Sequence, residues 1–265
     1  MLSEAVKYLT TPCPSHLRSM GYLKELIALD ARFKRCQIAW LPHTQKSKSV
    51  ICDAVNAVTG NKKVVVLGSG ILSDIPIEVL SEKFDTVLLV DVCFLEKTRK
   101  QLSQHSNVEW QAMDVTGVAE PLYNWAKGNQ SSENFPVPSP PPDIMLDDAD
   151  LVISSNLLSQ LPLIPMQYLR RKKSHSNEET IVEFAQGIVR AHLEFLDTCP
   201  GTVCLISEIE RQVYDGQRVL KIEDPLWGQS LDLNGEAWFW NVAPKSEVSR
   251  DYEIRNRVIG SYWKQ

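Results

Sequence analysis

The chain has 265 residues, of which 43% are hydrophobic and 23% charged, and its formal net charge is −5. This is the balance of a soluble globular protein with one large or two small domains. It argues against a broad basic surface for nucleic acid, and no run approaches the roughly 18 apolar residues of a membrane span, so neither partner is expected.

The first sixty residues read as helices. Ser15 is placed to cap a helix in which Leu17, Met20, Leu23, Ile27 and Ala31 fall near one face, and Pro42 is expected to break the path. Val50, Ile51, Ala54, Val55 and Val58 form a second apolar stripe, ending at Gly60 as a left-handed stop. From Lys63 the rhythm changes to alternating strands and helices. Val64–Leu67 has the short apolar run of a strand buried on both faces, and a helix over 74–83 follows with Asp74 as its cap. Thr86–Val90 is the next strand, ending at Asp91; Phe94–Gln104 is a helix; Val108–Ala112 is a third strand, ending at Asp114. Residues 128–147 are too rich in proline and serine for either element and read as a surface insertion.

Leu151–Ser154 is the fourth strand. Ser176-Asn177-Glu178-Glu179 fits a capping box that opens a long helix, with Ile181, Phe184, Ala185, Ile188, Val189, His192, Phe195 and Leu196 inward. Pro200-Gly201 turns the chain into Thr202–Ile206, and two extended segments near 236–242 and 252–262 close the sheet as an antiparallel pair. Such alternation predicts an open α/β sheet covered by helices on both faces. Residues 1–60 would form an N-terminal helical lid and 61–265 the α/β domain. The six cysteines form no CxxC pair, and several sit in apolar segments as buried free thiols do. No secretory signal is read at the N-terminus, so a cytoplasmic location is expected and the Asn129-Gln130-Ser131 sequon is a chance match.

In sheets of this kind ligands bind at the carboxyl ends of strands, where the strand order reverses. Gly68-Ser69-Gly70 lets backbone approach a ligand, and the helix start behind it offers unpaired N–H groups. A dinucleotide fingerprint would carry a third glycine where Ser73 stands. Asp91 could accept hydrogen bonds from both ribose hydroxyls of an adenosine; the plain alternative is a solvent-facing strand end. Asp114 could take an adenine amino group beneath Met113 and Val115; its plain alternative is a turn-initiating aspartate.

From residue 63 to about residue 262 the chain resembles the class I S-adenosylmethionine-dependent methyltransferases, on VVVLGSGILSD, VLLVDVCFLEK, WQAMDVTG, DLVISSNLLSQLP and the final aromatic strands. The resemblance implies a Rossmann-like, seven-stranded, mainly parallel sheet whose last strand is antiparallel, with S-adenosyl-L-methionine as cofactor and no metal. It implies Gly68, Ser69 and Gly70 beside the cofactor's methionine part, Asp91 and Val92 at its ribose, and Asp114 and Val115 at its adenine. Ser154 to Asn156 would line the sulfonium end and the substrate entrance. The chain departs from the family in lacking an acid near Val65 or Val66 and a glycine at Ser73.

Methyl transfer needs alignment and exclusion of water, with a base only where the nucleophile must lose a proton. Candidates near the acceptor are His43, Asn156 and Glu208. For His43 the plainer reading, a surface residue at a helix start, is preferred. A carboxylate at Glu208 or Glu210 could hold an amine or deprotonate a hydroxyl; alternation alone equally puts the two on one solvated face. The run Arg170-Arg-Lys-Lys-Ser-His175 reads as a solvated loop, and Trp227, Trp238, Trp240 and Trp263 as core of the closing strands. The reading reached is methyl transfer to a small-molecule acceptor. The alternatives are a non-catalytic protein of the same fold and an NAD(P)-dependent oxidoreductase.

Overall fold

The computed structural model describes residues 2–128, 135–139, 146–172 and 177–264. The Asn129 sequon, Ser176 and the end of the basic run at His175 lie outside the described residues. The helices are α1 (Leu2–Thr10), α2 (Ser15–Met20), α3 (Tyr22–Ala57), α4 (Ile77–Lys83), α5 (Glu96–Leu102), α6 (Ala119–Lys127), α7 (Leu163–Arg171) and α8 (Glu178–Asp197). The strands are β1 (Lys63–Leu67), β2 (Thr86–Asp91), β3 (Val108–Ala112), β4 (Ala149–Ser155), β5 (Thr202–Asp215), β6 (Arg218–Glu223), β7 (Glu236–Ala243) and β8 (Glu253–Lys264).

The strands lie in the order β3-β2-β1-β4-β5-β8-β7. β1 to β5 run parallel, and β8 enters antiparallel between β5 and β7. An eighth strand, β6, was not anticipated: β5 runs on past Ile206 to Asp215 and folds back through Gly216 (φ 61°) to pair with it. Strand order reverses between β1 and β4, so the crevice of this sheet opens where those strands end.

Side-chain alternation divides the core. Val64, Val66, Leu151, Ile153, Cys204 and Ile206 face one layer, built on the second half of α3 with α4 and α5. Val65, Leu67, Val152, Val203 and Leu205 face the other, covered by α2, α6, α7 and α8. Val64 to Leu67 are each 0% exposed, and full burial of one such side chain contributes about 1.5–3 kcal/mol. All six cysteines are free thiols, four of them buried.

The N-terminal helices differ from expectation in three ways. Pro14 stands at the N-cap of α2, leaving Ser15 as its first residue, and Gly21 (φ 114°) splits the anticipated helix in two. α3 then runs unbroken for 36 residues through Pro42. The missing N–H at Pro42 would have bonded the Ile38 carbonyl, and Ile38 is 91% exposed, so water can satisfy that group. Tertiary contacts hold the turns on either side: Trp40 Nε1 donates to the Val242 carbonyl at 3.1 Å, and His43 stacks on Trp240 at 4.0 Å. Restoring the donor with Pro42→Ala should raise the thermal midpoint by about 2–6 °C, measured by circular dichroism.

Gly60 is not a left-handed stop, because α3 ends at Ala57 with Val58 extended. Its bare Cα instead admits Asp150, whose Oδ1 would lie 1.9 Å from an added Cβ, and which accepts the Lys62 and Lys63 N–H groups. α2 and the start of α3 pack on the α8 side of the sheet, and the end of α3 packs on the other side. Between them Leu23, Leu26 and Ile27 cluster with Cys93 and Leu95, just beyond the end of β2. The first sixty residues therefore pass over the carboxyl edge of β2 as they cross from one layer to the other.

Candidate cofactor site

After Leu67 the backbone takes positive φ at Gly68 (71°) and Gly70 (55°), values that favour glycine. An added Cβ at Gly68 would also lie 2.7 Å from Leu157 Cδ1. The turn is bound to the neighbouring strand: Gly70 N–H donates to Asp91 Oδ2 at 2.6 Å, and Val92 N–H donates to Asp91 Oδ1 at 2.7 Å. Burial pushes the Asp91 carboxyl up to about 6, outweighing the downward pull of those two N–H bonds. A ligand hydroxyl donating to this half-buried carboxylate would offset part of that desolvation.

Asp114 follows β3 and serves its own turn. Oδ1 accepts from Thr116 N–H (2.9 Å) and Thr116 Oγ1 (2.6 Å), and Oδ2 accepts from Ala119 N–H (2.8 Å) at the start of α6. Val115 is buried in the core, while Met113 is only partly buried. Tyr22, the first residue of α3, brings a buried hydroxyl under the influence of the Asp114 charge; burial first, and that charge second, raise its pKa well above the usual phenol value.

The end of β4 separates its two serines. Ser154 is 0% exposed and bonds His192 Nε2 at 2.9 Å on the α8 side, away from the crevice. Ser155 and Asn156 turn to Asp74, whose Oδ2 accepts from Ser155 Oγ (2.9 Å) and Asn156 Nδ2 (2.6 Å). Asp74 is therefore not the cap of α4; Pro76 holds that position without a side-chain bond. Leu72 (φ 62°) and Asn156 (φ 51°) both hold left-handed backbone here, and strain of this kind gathers at ligand sites.

Three buried polar atoms around this crevice have no partner: Ser69 Oγ, Asn156 Oδ1 and Tyr22 Oη. Buried polar groups in folded proteins are almost always paired. An adenosyl amino acid, with hydroxyls, ring nitrogens, an amine and a carboxylate, has the donors and acceptors to pair them.

His43 is buried, not a surface residue, at 3% exposure. Its Nδ1 accepts from Trp238 Nε1 at 3.1 Å, which puts its proton on Nε2. Glu208 is also buried and accepts from Ser159 Oγ at 2.5 Å; burial raises its pKa, and the Asp74 charge adds to this. Glu208 and Glu210 do not share a face. A bulge pairs Glu208 with Val258 but Glu210 with Arg257, so alternation resets between them and Glu210 turns to Gln212. In the basic run, Arg170 binds Glu178 and Arg171 donates to the Met20 carbonyl, so both serve the fold. Trp227 and Trp263 pack on the α8-side core, Trp238 and Trp240 on the α3-side core.

His43 and His192 are both held down to about 4 by burial. The unfolded chain, near 6.5, binds more protons between pH 4 and 6.5, so their contribution is complete above 6.5 and is lost as pH falls through that window. Each accounts for about 3 kcal/mol. His192→Gln should therefore flatten the acid side of the stability curve, as thermal midpoints from pH 4 to 7 would register.

Two open surface hollows, of about 570 and 390 Å³, lie at the other end of the strands, around Asn61, Asp85, Asn107 and Lys63. Among the described residues no group of three or more His, Cys, Asp or Glu could hold a metal ion, and no helix is long and apolar enough to cross a membrane.

The parallel sheet, its reversal between β1 and β4, and β8 inserted antiparallel beside β5 reproduce the architecture implied by the sequence resemblance. The fold is a Rossmann-like α/β fold. No family model matches the chain, and no curated protein does. Among solved structures it is similar to DhpI with S-adenosylhomocysteine (15% identity, 88% of this chain and 93% of that one, TM-score 0.35). It is similar also to the N-methyltransferase NodS from Bradyrhizobium japonicum WM9 (10% identity, 82% and 86%, TM-score 0.35). A third is the 23S rRNA methyltransferase ErmE (12% identity, TM-score 0.32), matched over 62% of this chain and 46% of that one, so the match spans under half of that protein. At these TM-scores the similarity is loose, and the residues of the site carry the chemistry assigned to it.

Proposed function

We propose that the protein transfers a methyl group from S-adenosylmethionine to a small-molecule acceptor. The observation that carries this is Asp91, a partly desolvated carboxylate tied to the Gly70 N–H, in a crevice where Ser69, Asn156 and Tyr22 each present an unpaired buried polar atom. When bound, S-adenosylmethionine supplies a methyl already activated by a positive sulfur. The protein's part is holding and screening. Asp91 accepts from ribose hydroxyls, with Val92 beside it. Asp114, already committed to its own turn, and Tyr22 meet the adenine side. Gly68, Ser69, Gly70 and Asn156 receive the amino-acid end. Residues 1–60 act as the lid that keeps water from the reacting groups. Ser154 drops out of the contact set because its hydroxyl is engaged by His192.

A small acceptor, rather than a nucleic acid, suits the net charge of −5 and the engagement of Arg170 and Arg171 within the fold. A cytoplasmic setting suits free, buried thiols.

The test is a melting-temperature panel with S-adenosylmethionine, S-adenosylhomocysteine, NAD and NADP, followed by transfer of labelled methyl to an acceptor library. Stabilisation by the two sulfur nucleotides together with label transfer is the expected result. Stabilisation by NAD alone would overturn the assignment. Sulfur-nucleotide binding without any transfer would mark a binding protein of the same fold.

A further inference from the structure

We propose that Cys13 and Cys93 are an oxidation site, a dithiol that a peroxide converts to a disulfide, and that this bond latches the N-terminal helices over the carboxyl edge of β2. Cys13 lies in the short connection between α1 and α2, and Cys93 lies two residues past Asp91. The fold brings them together from distant parts of the chain. Cys93 belongs to the cluster of Leu23, Leu26, Ile27 and Leu95, and Cys13 packs against that same cluster. There the two side chains hydrogen-bond to each other.

The two sulfurs are not equivalent. Cys13 is half-buried, and its thiol also donates to the Pro14 carbonyl at 3.6 Å, on the exposed side of the chain, so a small oxidant can reach it. Cys93 is 1% exposed. The hydrogen bond with Cys93 lowers the Cys13 pKa, burial opposes this, and Arg18 lowers it further. Arg18 is fixed in place, since its guanidinium donates to the Tyr8 and Thr11 carbonyls and lies over the Tyr8 ring. Cys93 is shifted the other way, upward, by the Cys13 hydrogen bond first and burial second. An accessible thiol of lowered pKa beside a resolving thiol is the arrangement of redox-sensing cysteines. In Cys36, Cys52, Cys199 and Cys204 burial is the first cause of a raised pKa, and among the described residues no second thiol acts on them.

The chemistry balances with hydrogen peroxide as oxidant. The Cys13 thiolate attacks one peroxide oxygen as the O–O bond breaks, giving Cys13 sulfenic acid and hydroxide, which takes up the thiol's proton as water. The Cys93 sulfur then loses its proton and displaces the second hydroxide from the Cys13 sulfur, forming the S–S bond and a second water. Two electrons pass from the sulfurs to the peroxide. The product joins the α1–α2 connection to the strand end that carries Asp91. α1 is already braced there by Lys7 on the buried Asp30 of α3. A ligand held at Asp91 should then leave more slowly, a consequence that rests on the methyl-transfer reading.

The test treats the full chain with hydrogen peroxide and maps the product by intact mass and non-reducing peptide digestion. Expected are the loss of two hydrogens, a peptide linked through Cys13 and Cys93, and a thermal midpoint at least about 5 °C higher, all reversed by dithiothreitol. Cys13→Ser, a change at a half-buried position, should abolish all three, and Cys93→Ala, which adds no polar group to the core, should do the same. In hydrogen exchange the amides of α1 and α2 should be protected at least about tenfold more in the oxidised wild type. Release of S-adenosylhomocysteine should slow by a similar factor. Over-oxidation of Cys13 without a cross-link, a disulfide to another cysteine, or exchange and release rates unchanged by oxidation would overturn the proposal. If S-adenosylhomocysteine does not bind but the disulfide forms and protects these helices, the latch stands and the methyl-transfer reading falls.

Discussion

Asp91→Asn should abolish the rise in melting temperature that S-adenosylhomocysteine gives the wild-type chain, while leaving the free protein at least as stable as wild type at pH 8. The two halves have one cause. The carboxyl titrates near 6 in the folded protein because burial disfavours its charge, against an ordinary 3.8. A shift of that size is roughly 3 kcal/mol of destabilisation once the group is fully ionised. The sign follows from the raised pKa: the folded state binds the extra proton between pH 3.8 and 6, so stability falls as pH rises through that window. Asparagine removes the charge but can accept only one of the two N–H bonds from Gly70 and Val92, which returns about 1–2 kcal/mol. In the wild type a ligand at 100 times its Kd adds about 2.7 kcal/mol, or about 5–10 °C. A variant that loses the ligand shift and also loses ten degrees on its own would point to a structural aspartate instead.

Gly201→Ala should be strongly destabilising. Gly201 lies between α8 and β5, and an added Cβ would fall 2.3 Å from the Ala149 carbonyl oxygen and 2.5 Å from that of Asp150. Those atoms are backbone of β4, paired in register with β5 from Leu151 and Thr202 onward, so neither strand can move aside without breaking the ladder. The expected cost is about 3 kcal/mol or more, a fall of about 6–12 °C in thermal midpoint. Gly216→Ala is the comparison: that glycine has a φ of 61° and nothing within 4 Å of an added Cβ, so only conformational strain of about 1–2 kcal/mol applies. Equal losses in the two variants would mean that close packing at β4 is not what Gly201 provides.

Local patterns carried much of the fold. β1, β2 and α8 were legible because their apolar residues run as in a buried strand or repeat at the period of a one-sided helix, and Asn177 caps α8 through the Thr180 N–H. α6 and α7 went unread because each is short and begins with proline in its first turn, at Pro121 and Pro165. Pro42 and Gly60 were misread for a common reason. Their usual local meanings, breaker and left-handed cap, yielded to contacts with β7 and with Asp150. The site was legible at Gly68, Gly70, Asp91 and Asp114, which follow their strands directly. Asp74, Tyr22 and the Ser154–His192 bond were not, since no spacing rule links residues that lie 38 to 92 positions apart.

By itself the sequence determined the strands of the sheet other than β6, where the glycine turn falls and that acids close the second and third strands, because these depend on side-chain period and on the residues beside each strand end. Only the tertiary structure decided which way those side chains point: Ser154 inward to His192, Ser155 outward to Asp74, Glu208 and Glu210 to opposite faces. The physical reason is that a strand presents alternate residues to alternate faces, and a single bulge or left-handed residue inverts that order using partners remote in the chain.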